Sequence, residues 1–593
     1  MSDITETSSD ELPPLTWRSW MVLVMFIIAT GFVIYPLRIP LVYPVVGAKP
    51  SNPETIECSS AVPAQKKKYA LQWRVVRIHM DMKLAPWIAI LILLASTTIK
   101  FVNEVVHGFV GSDGIEPYAI VILIFALAYI CISLDQSGLL SYIAMHVTKR
   151  WGQNGRLLLV CFYLLSTVMA VLTSNDVVVL CLTPIICIFS DVTGADAEPF
   201  LIAMFVSANT ASMALYIGNP TNIIASQANG IAFLQYSAWM ALPFLGAVVA
   251  GGAILYIQCF SKVPRAIEID LGIQPRSMLV RPRQAIFGAV ILALCLITLS
   301  VSSFFGVAVW IVTLPFGGVM LVVDAFVDLY LTRSSAAAID TSTETETAAA
   351  AISASDASNM LRIDGSPGTI DEKQSSSQIM PISTEIQDSV AQTHELNEQT
   401  STAKYSTTNG KMHRLKATAV RVLGVLVRRL PTVSAVLSRL PYNIVPFSIG
   451  MFILVESLSE QGWTPRLSWL LKHMCPSVAP AVFIVGAVTA LACNIMNNLP
   501  MTIIFTRALK HQIFAQVGAS TRRGALFALI VGSNLGANFT LVGSLAGLMF
   551  QGIARQKKRD IGYFKFLRWC LPILPIQLAV ACAILTAEVI IMK

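Results

Sequence analysis

Long apolar runs alternate with short polar loops along most of the chain, and their lengths set the first expectation. A helix needs about 20 mainly apolar residues to cross a bilayer core. Ten runs reach or approach that length: residues 20–37, 85–102, 117–134, 199–226, 233–259, 286–302, 305–323, 443–458, 525–550 and 566–591. Two more, 157–190 and 478–509, are interrupted near their middles by polar clusters. Each reads as a re-entrant hairpin of two half-helices that enter and leave on one side. The expected fold class is an all-α polytopic membrane protein, with about ten spans plus two re-entrant hairpins in an inverted-topology repeat.

The remaining segments have distinct characters. Residues 1–19 form an acidic N-terminal tail, with Asp3, Glu6, Asp10 and Glu11. Residues 331–410 are rich in Ser, Thr, Ala, Glu and Gln, with no apolar period, and read as a disordered hydrophilic linker. Residues 411–441 form a basic amphipathic segment, with Arg428 and Arg429 beside leucines, expected along the membrane surface. The first transmembrane half is 20–260, with its hairpin at 157–190. Residues 285–330 hold the first two spans of the second half, and 442–593 hold the rest, with the hairpin at 478–509.

The two halves repeat a pattern. Leu134-Asp135-Gln136-Ser137-Gly138 follows a span in the first, and Leu458-Ser459-Glu460-Gln461-Gly462 follows one in the second. A short amphipathic stretch comes next in each, then the interrupted hairpin, then a span broken by small and polar residues, then a closing span. Five full spans per half is an odd number, so the second half enters the membrane upside down. Discontinuous segments at matching places in such halves point to a transporter's binding site.

Composition agrees with lipid as the solvent. Of 593 residues, 55% are hydrophobic and only 13% charged, against about 25% charged in soluble domains. The formal net charge of +8 sits mostly in loops. Three basic loops share a side if the N-terminus is outside: the loop before residue 85, that at 262–283 and that at 555–568. Arg466, Lys472, Arg507, Lys510, Arg522 and Arg523 count against this orientation. Eleven cysteines without a CxxC pair read as packing residues. The sequence has no zinc-finger spacing, HExxH or Walker motif, so nucleic-acid binding and catalysis are not expected, and no cofactor is implied beyond a coupling proton or Na+.

The first hairpin breaks at Thr173-Ser174-Asn175-Asp176 and the second at Asn494-Ile495-Met496-Asn497-Asn498-Leu499-Pro500. A hairpin tip frees N–H groups at one half-helix start and C=O groups at the other half-helix end. Asn and Ser side chains add donors and acceptors. Non-helical backbone at membrane depth is tolerated only against protein or a water-filled cavity. The first broken span reads Gly218-Asn219-Pro220-Thr221-Asn222. Its partner carries Gly536-Ala537-Asn538-Phe539-Thr540 and then Gly543-Ser544. The candidate substrate- and ion-binding residues are therefore Ser174, Asn175, Asp176, Asn209, Gly218, Asn219, Thr221, Asn222, Asn497, Asn498, Asn538, Thr540 and Ser544. Asn209 and Asn534 fit small-residue helix packing as well as a substrate role. Asp176 is the most informative residue, because an ionisable group inside the membrane is costly and functional by default. The second tip has the neutral Asn498 at the matching place. Glu456, Asp324, Asp328 and Asp135 read as interfacial residues near span ends.

These motifs resemble a known family. Thr173–Asp176 leading to Leu182-Thr183-Pro184, the stretch SANTASMALYIGNPTN at 207–222, Asn497-Asn498-Leu499-Pro500 and Gly543-Ser544-Leu545-Ala546 are similar to the motifs of arsenite-efflux membrane proteins. That group lies in the ion transporter superfamily, with citrate and dicarboxylate carriers, sodium/proton antiporters, silicon effluxers and the melanosomal P protein. The resemblance covers 20–330 and 443–591. In dicarboxylate carriers of the group, Ser-Asn-Thr at both tips binds sodium and carboxylates. Here the first tip has Ser174-Asn175-Asp176 and the second lacks the motif. A fixed carboxylate repels a dianion, so the resemblance implies a proton- or cation-coupled secondary transporter of a small anion or weakly acidic solute such as arsenite. A sodium-coupled citrate or dicarboxylate symporter is the alternative. No thiol pair for trivalent arsenic is evident at Cys493 or Cys181. The expected partners are a small inorganic or organic anion and the lipid bilayer. A homodimer and a separate ATPase subunit are compatible with the sequence but not implied by it. The protein is expected to be multi-pass, in a plasma or organelle membrane.

Overall fold

The computed structural model describes residues 12–34, 37–48, 69–81, 83–111, 116–151, 153–267, 275–305, 307–332, 424, 427–442, 444–559 and 561–592. The proposed linker from 333 to 410, the basic residues 411–423 and most of the acidic tail lie outside them. The chain divides into two compact units, Met1–Val322 with Ala435–Lys593, and Val323–Ser434.

The first unit opens with α1 (Trp17–Ile34), followed by an antiparallel ribbon of β1 (Leu37–Ala48) and β2 (Tyr69–Met80), paired from Leu37↔Met80 to Ala48↔Tyr69. The sequence reading treats that stretch as loop. Its β-branched Val75, Val76 and Ile78 are legible as strand only in hindsight. The expected span 85–102 is interrupted. Helix α2 (Ala85–Ala95) ends in a turn, and a π-helical stretch, Phe101–Val106, runs into the short α3 (His107–Val110). Thr97 at φ 55° marks the turn.

Next come α4 (Pro117–Gln136), α5 (Leu139–Trp151), α6 (Gly155–Leu172), α7 (Asn175–Thr193), α8 (Glu198–Ala211), α9 (Pro220–Ala228), α10 (Phe233–Cys259) and α11 (Pro282–Ser302). Helix α12 spans Val309–Thr332. The series resumes with α13 (Pro431–Arg439), α14 (Ile444–Glu460), α15 (Trp463–Met474), α16 (Val478–Met496), α17 (Asn498–Lys510), α18 (Gln512–Ala515), α19 (Ala519–Leu535), α20 (Leu545–Gln556), α21 (Tyr563–Cys570) and α22 (Ile573–Ile591). Eight helices among the described residues are long and apolar enough to cross a membrane, and two shorter apolar helices accompany them. The chain is an integral, multi-pass, helical membrane protein.

Local sequence explains where the helices stop. Gly138 and Gly462, at matching places in the two Leu-x-x-x-Gly stretches, have φ of +84° and +81°. Glycine reaches that left-handed region without steric cost, which turns the chain from α4 into α5 and from α14 into α15. Asn219 caps α9 by accepting from the Thr221 amide at 3.2 Å, with Pro220 at the first helical position.

In the second unit, Asp328 of α12 accepts from the Thr432 amide (2.7 Å), the Thr432 hydroxyl (2.6 Å) and the Val433 amide (3.1 Å). It thereby caps the start of α13. Glu456 is also no surface group: it is 4% exposed and ion-paired with Arg507 of α17, itself 5% exposed. The expectation for both residues is an interfacial position. A carboxylate that satisfies a helix start or a buried guanidinium is stable away from water.

Candidate transport site

The two polar clusters of the hairpin regions are helix breaks, but the helices entering them are longer than the expected half-helices: Gly155–Leu172 and Val478–Met496 are themselves long and apolar enough to cross a membrane. Helix α6 ends at Leu172, and α7 begins at Asn175 with Ser174 as its cap, accepting from the Val177 amide at 3.4 Å. Helix α16 ends at Met496, and α17 begins at Asn498 behind Asn497.

The outer ends of each helix pair come back to one region. The Gly155 amide donates to the Arg265 carbonyl at 3.2 Å, so the start of α6 lies by the loop after α10. Asp191, near the end of α7, pairs with Arg559 at 2.6 Å. Glu198, at the start of α8, accepts from the Trp569 indole at 2.5 Å, and Lys262 lies 3.6 Å over the same ring. In the second pair, the Phe514 amide, just beyond α17, donates to Ser468 of α15 at 3.1 Å.

The halves interlock reciprocally. Helix α7 packs on α20, and α17 packs on α9, so each tip helix meets the broken span of the other half. Asn534 of α19 sits at the centre of the seam. Its amide oxygen accepts from the Ser212 hydroxyl (2.9 Å) and the Asn219 amide (3.1 Å), and its nitrogen donates to the Asn222 side-chain oxygen (2.7 Å). The neighbouring Ser533 hydroxyl donates to Thr221 at 3.2 Å. Asn538 and Gln577 both donate to the Thr210 hydroxyl oxygen at 3.1 Å. All are buried. Gly218 stands in this seam because a methyl group there would run into the Ser212 carbonyl.

The tips differ. At the first, the Asn175 amide donates to the Asn209 side-chain oxygen at 2.8 Å, and both asparagines are buried. Ser174 and Asp176, one residue to either side, are half-buried and line a cavity of about 310 Å³. Among the described residues the Asp176 carboxylate has no ion-pair or hydrogen-bond partner. The cavity is otherwise mainly apolar, with Leu127, Ile223 and Leu548 among its walls, and Arg439 is its other charged residue. Arg439 is held at 3.2 Å by Asp135.

At the second tip the polar groups turn inward. The Asn497 side chain donates to the Val542 carbonyl at 3.1 Å, and the Asn498 backbone N–H donates to the Gly543 carbonyl at 3.0 Å. Asn497 and Asn498 are 1% and 5% exposed. Asn497 has φ 69° and ψ 153°, a region that side chains other than glycine's enter at a cost of about 1–3 kcal/mol. The Thr540 hydroxyl donates to the Asn494 side-chain oxygen at 2.6 Å, and Ser544 caps α20.

Of the thirteen sequence-selected residues, the structure thus puts Ser174 and Asp176 on the cavity. Asn175 and Asn209 lie directly behind the first tip. Gly218, Asn219, Thr221, Asn222 and Asn538 lie in the seam between the broken spans. Asn497, Asn498, Thr540 and Ser544 lie around the second tip. Arg439 escapes the sequence reading because its neighbours, Arg428 and Arg429 included, suggest a surface helix. Gln577 escapes it as a lone amide in an apolar run. Arg507 carried a usable signal, since it falls inside the apolar run 478–509.

Comparisons with known proteins agree in kind. A family model for citrate transporters matches residues 74–361, and one for the arsenical pump membrane protein matches 417–585. The arsenical pump membrane protein of Yersinia enterocolitica is 24% identical over 463 residues, covering 77% of this chain and 83% of that one. An uncharacterized transporter of Synechocystis is 20% identical over 482 residues, covering 79% of this chain and 85% of its own. The solved structure of Neisseria gonorrhoeae MtrF, from a class of antimetabolite efflux pumps, is 12% identical with a TM-score of 0.44, covering 96% of this chain and 95% of that one.

Proposed function

We propose that this chain, which belongs to the ion transporter superfamily in its group of arsenical pump membrane proteins and citrate transporters, exports a small weakly acidic solute such as arsenite in exchange for protons or another cation. It is a secondary transporter of anions. The observation that carries this reading is Asp176: a carboxylate with no ion-pair or hydrogen-bond partner among the described residues, at a helix break, on the wall of a cavity. A bound proton or cation would neutralise it.

The steps follow from the residues present. Cargo enters the cavity between α4, the first tip, the start of α9 and α20. Arg439 offers a cation to a negatively charged cargo, while Asp176 repels one until it binds its coupling ion. Neutralising Asp176 therefore links cargo occupancy to ion occupancy. The polar seam around Asn534 supplies paired hydrogen bonds that a moving tip helix must keep or exchange. Alternating access of one bundle against the other around the tips is the expected motion.

The match of the citrate transporter model over 74–361 favours a second reading, sodium-coupled uptake of citrate or a dicarboxylate. Flux into proteoliposomes separates the two. The efflux reading expects arsenite movement driven by a proton or other cation gradient and not inhibited by succinate. Sodium-driven citrate uptake, inhibited by succinate and unaffected by arsenite, would replace it with the second.

A further inference from the structure

A second polar pocket lies far from Asp176, where the end of α10, the start of α8 and α21 meet. It has a volume of about 330 Å³ and is lined by Glu198, Gln258, Lys262, Lys565, Arg568 and Trp569. Three cations face one carboxylate. That carboxylate is already engaged, accepting from the Trp569 indole at 2.5 Å and ion-paired with Lys565. Lys262 stacks on the Trp569 ring, and neither it nor Arg568 has a carboxylate partner among the described residues. The Gln258 side-chain oxygen is buried and accepts no hydrogen bond among the described residues. The pocket therefore holds surplus positive charge beside an unused acceptor.

Its surroundings identify the membrane boundary. Helix α21 buries Phe566, Trp569 and Cys570 and exposes Phe564, Lys565 and Arg568, the pattern of a helix lying in the interface plane. Ile257 and Phe564, 73% and 81% exposed, flank the pocket with apolar surface fit for acyl chains. The same side gathers Arg265, Arg555, Lys557, Lys558 and Arg559, so it is the side that faces the cytoplasm by the bias of positive loops. Basic pockets between helices on that side suit anionic headgroups.

We propose that Lys262, Lys565, Arg568 and Gln258 form a headgroup site for an anionic phospholipid whose polar head carries a hydroxyl, in the cytoplasmic leaflet. The phosphate lies among the cations, and the hydroxyl donates to Gln258. The apolar flank selects a lipid over a free phosphate. This inference is independent of which solute is carried.

The purified full chain in detergent, with its thermal midpoint followed by tryptophan fluorescence, tests it. Phosphatidylglycerol should raise the midpoint by several degrees more than phosphatidylcholine does, and inorganic phosphate at the same concentration should not. The double variant Lys262→Gln/Arg568→Gln should lose the difference between the two lipids. Lys557→Gln/Lys558→Gln, the same charge change on the same side, should keep it. An undiminished shift in the first variant, an equal loss in the second, or an equal shift with inorganic phosphate would overturn the site. Native mass spectrometry of the wild-type protein reads it without mutation: one phosphatidylglycerol retained in preference to phosphatidylcholine supports it, and equal retention overturns it.

Discussion

The two tips begin from related sequence and end in different surroundings. At the first, Ser174 and Asp176 look into a cavity while Asn175 turns back to Asn209. At the second, Asn497 and Asn498 are sealed against the backbone at Val542 and Gly543. A charge is tolerable where a cavity can admit water or an ion, and costly where the side chain is almost wholly buried, as that of Asn498 is at 5% exposure. The helix starts also correct the expected match: behind the caps Ser174 and Asn497, Asn498 stands where Asn175 does and Leu499 where Asp176 does, so the second tip has an apolar residue in place of the carboxylate.

The largest expected effect comes from exchanging these characters. Asn498→Asp would bury an uncompensated carboxylate and destabilise the protein by about 3–5 kcal/mol. Asp176→Asn, facing the cavity, should change stability by less than about 1 kcal/mol. Thermal unfolding in one detergent compares the two directly, and equal destabilisation would contradict the contrast. Next in size is the seam that both halves share. Asn534→Ala leaves Ser212, Asn219 and Asn222 with lost partners, at about 3 kcal/mol by the cost of unpaired buried polar groups. A midpoint close to that of the wild type would show that the network is not the tie between the broken spans.

Smaller again is the cap. Ser174→Ala should cost about 1 kcal/mol, the usual worth of a helix N-cap, with loss of transport in excess of that stability loss if the hydroxyl also meets cargo. A chemical probe sharpens the comparison without depending on stability. Cysteine placed at Ser174 should react with a hydrophilic maleimide in the resting protein, and cysteine placed at Asn498 should not. The reverse order would mean that the second tip is the accessible one.

Much of this was legible in the sequence, for physical reasons. Lipid demands long apolar runs, so the helical class follows from hydropathy alone. Ser174, Asn219 and Ser544, chosen in the sequence as binding candidates, prove to cap helix starts, a local role that the breaks in the apolar runs could have signalled. What was not legible depends on partners distant along the chain. The Glu456–Arg507 pair joins a residue that resembles a span-end charge when read alone to an arginine whose place inside an apolar run hints at burial but not at its partner. Asn534 gives no sign of meeting Ser212, Asn219 and Asn222 together. The ribbon of β1 and β2 was hidden by the expectation of loop between spans. The interruption after α2 was hidden because Phe101 and Val102 prolong an apolar run that the backbone leaves at Ser96.

The central claim is that Asp176 couples ion movement to cargo movement. The most direct measurement is gradient-driven arsenite flux in proteoliposomes, comparing wild type with Asp176→Asn at equal protein orientation and amount. The account predicts that a proton gradient accumulates arsenite through the wild type, while the variant supports at most exchange that runs down the arsenite gradient. Undiminished uphill accumulation by Asp176→Asn would contradict it and move coupling away from the first tip.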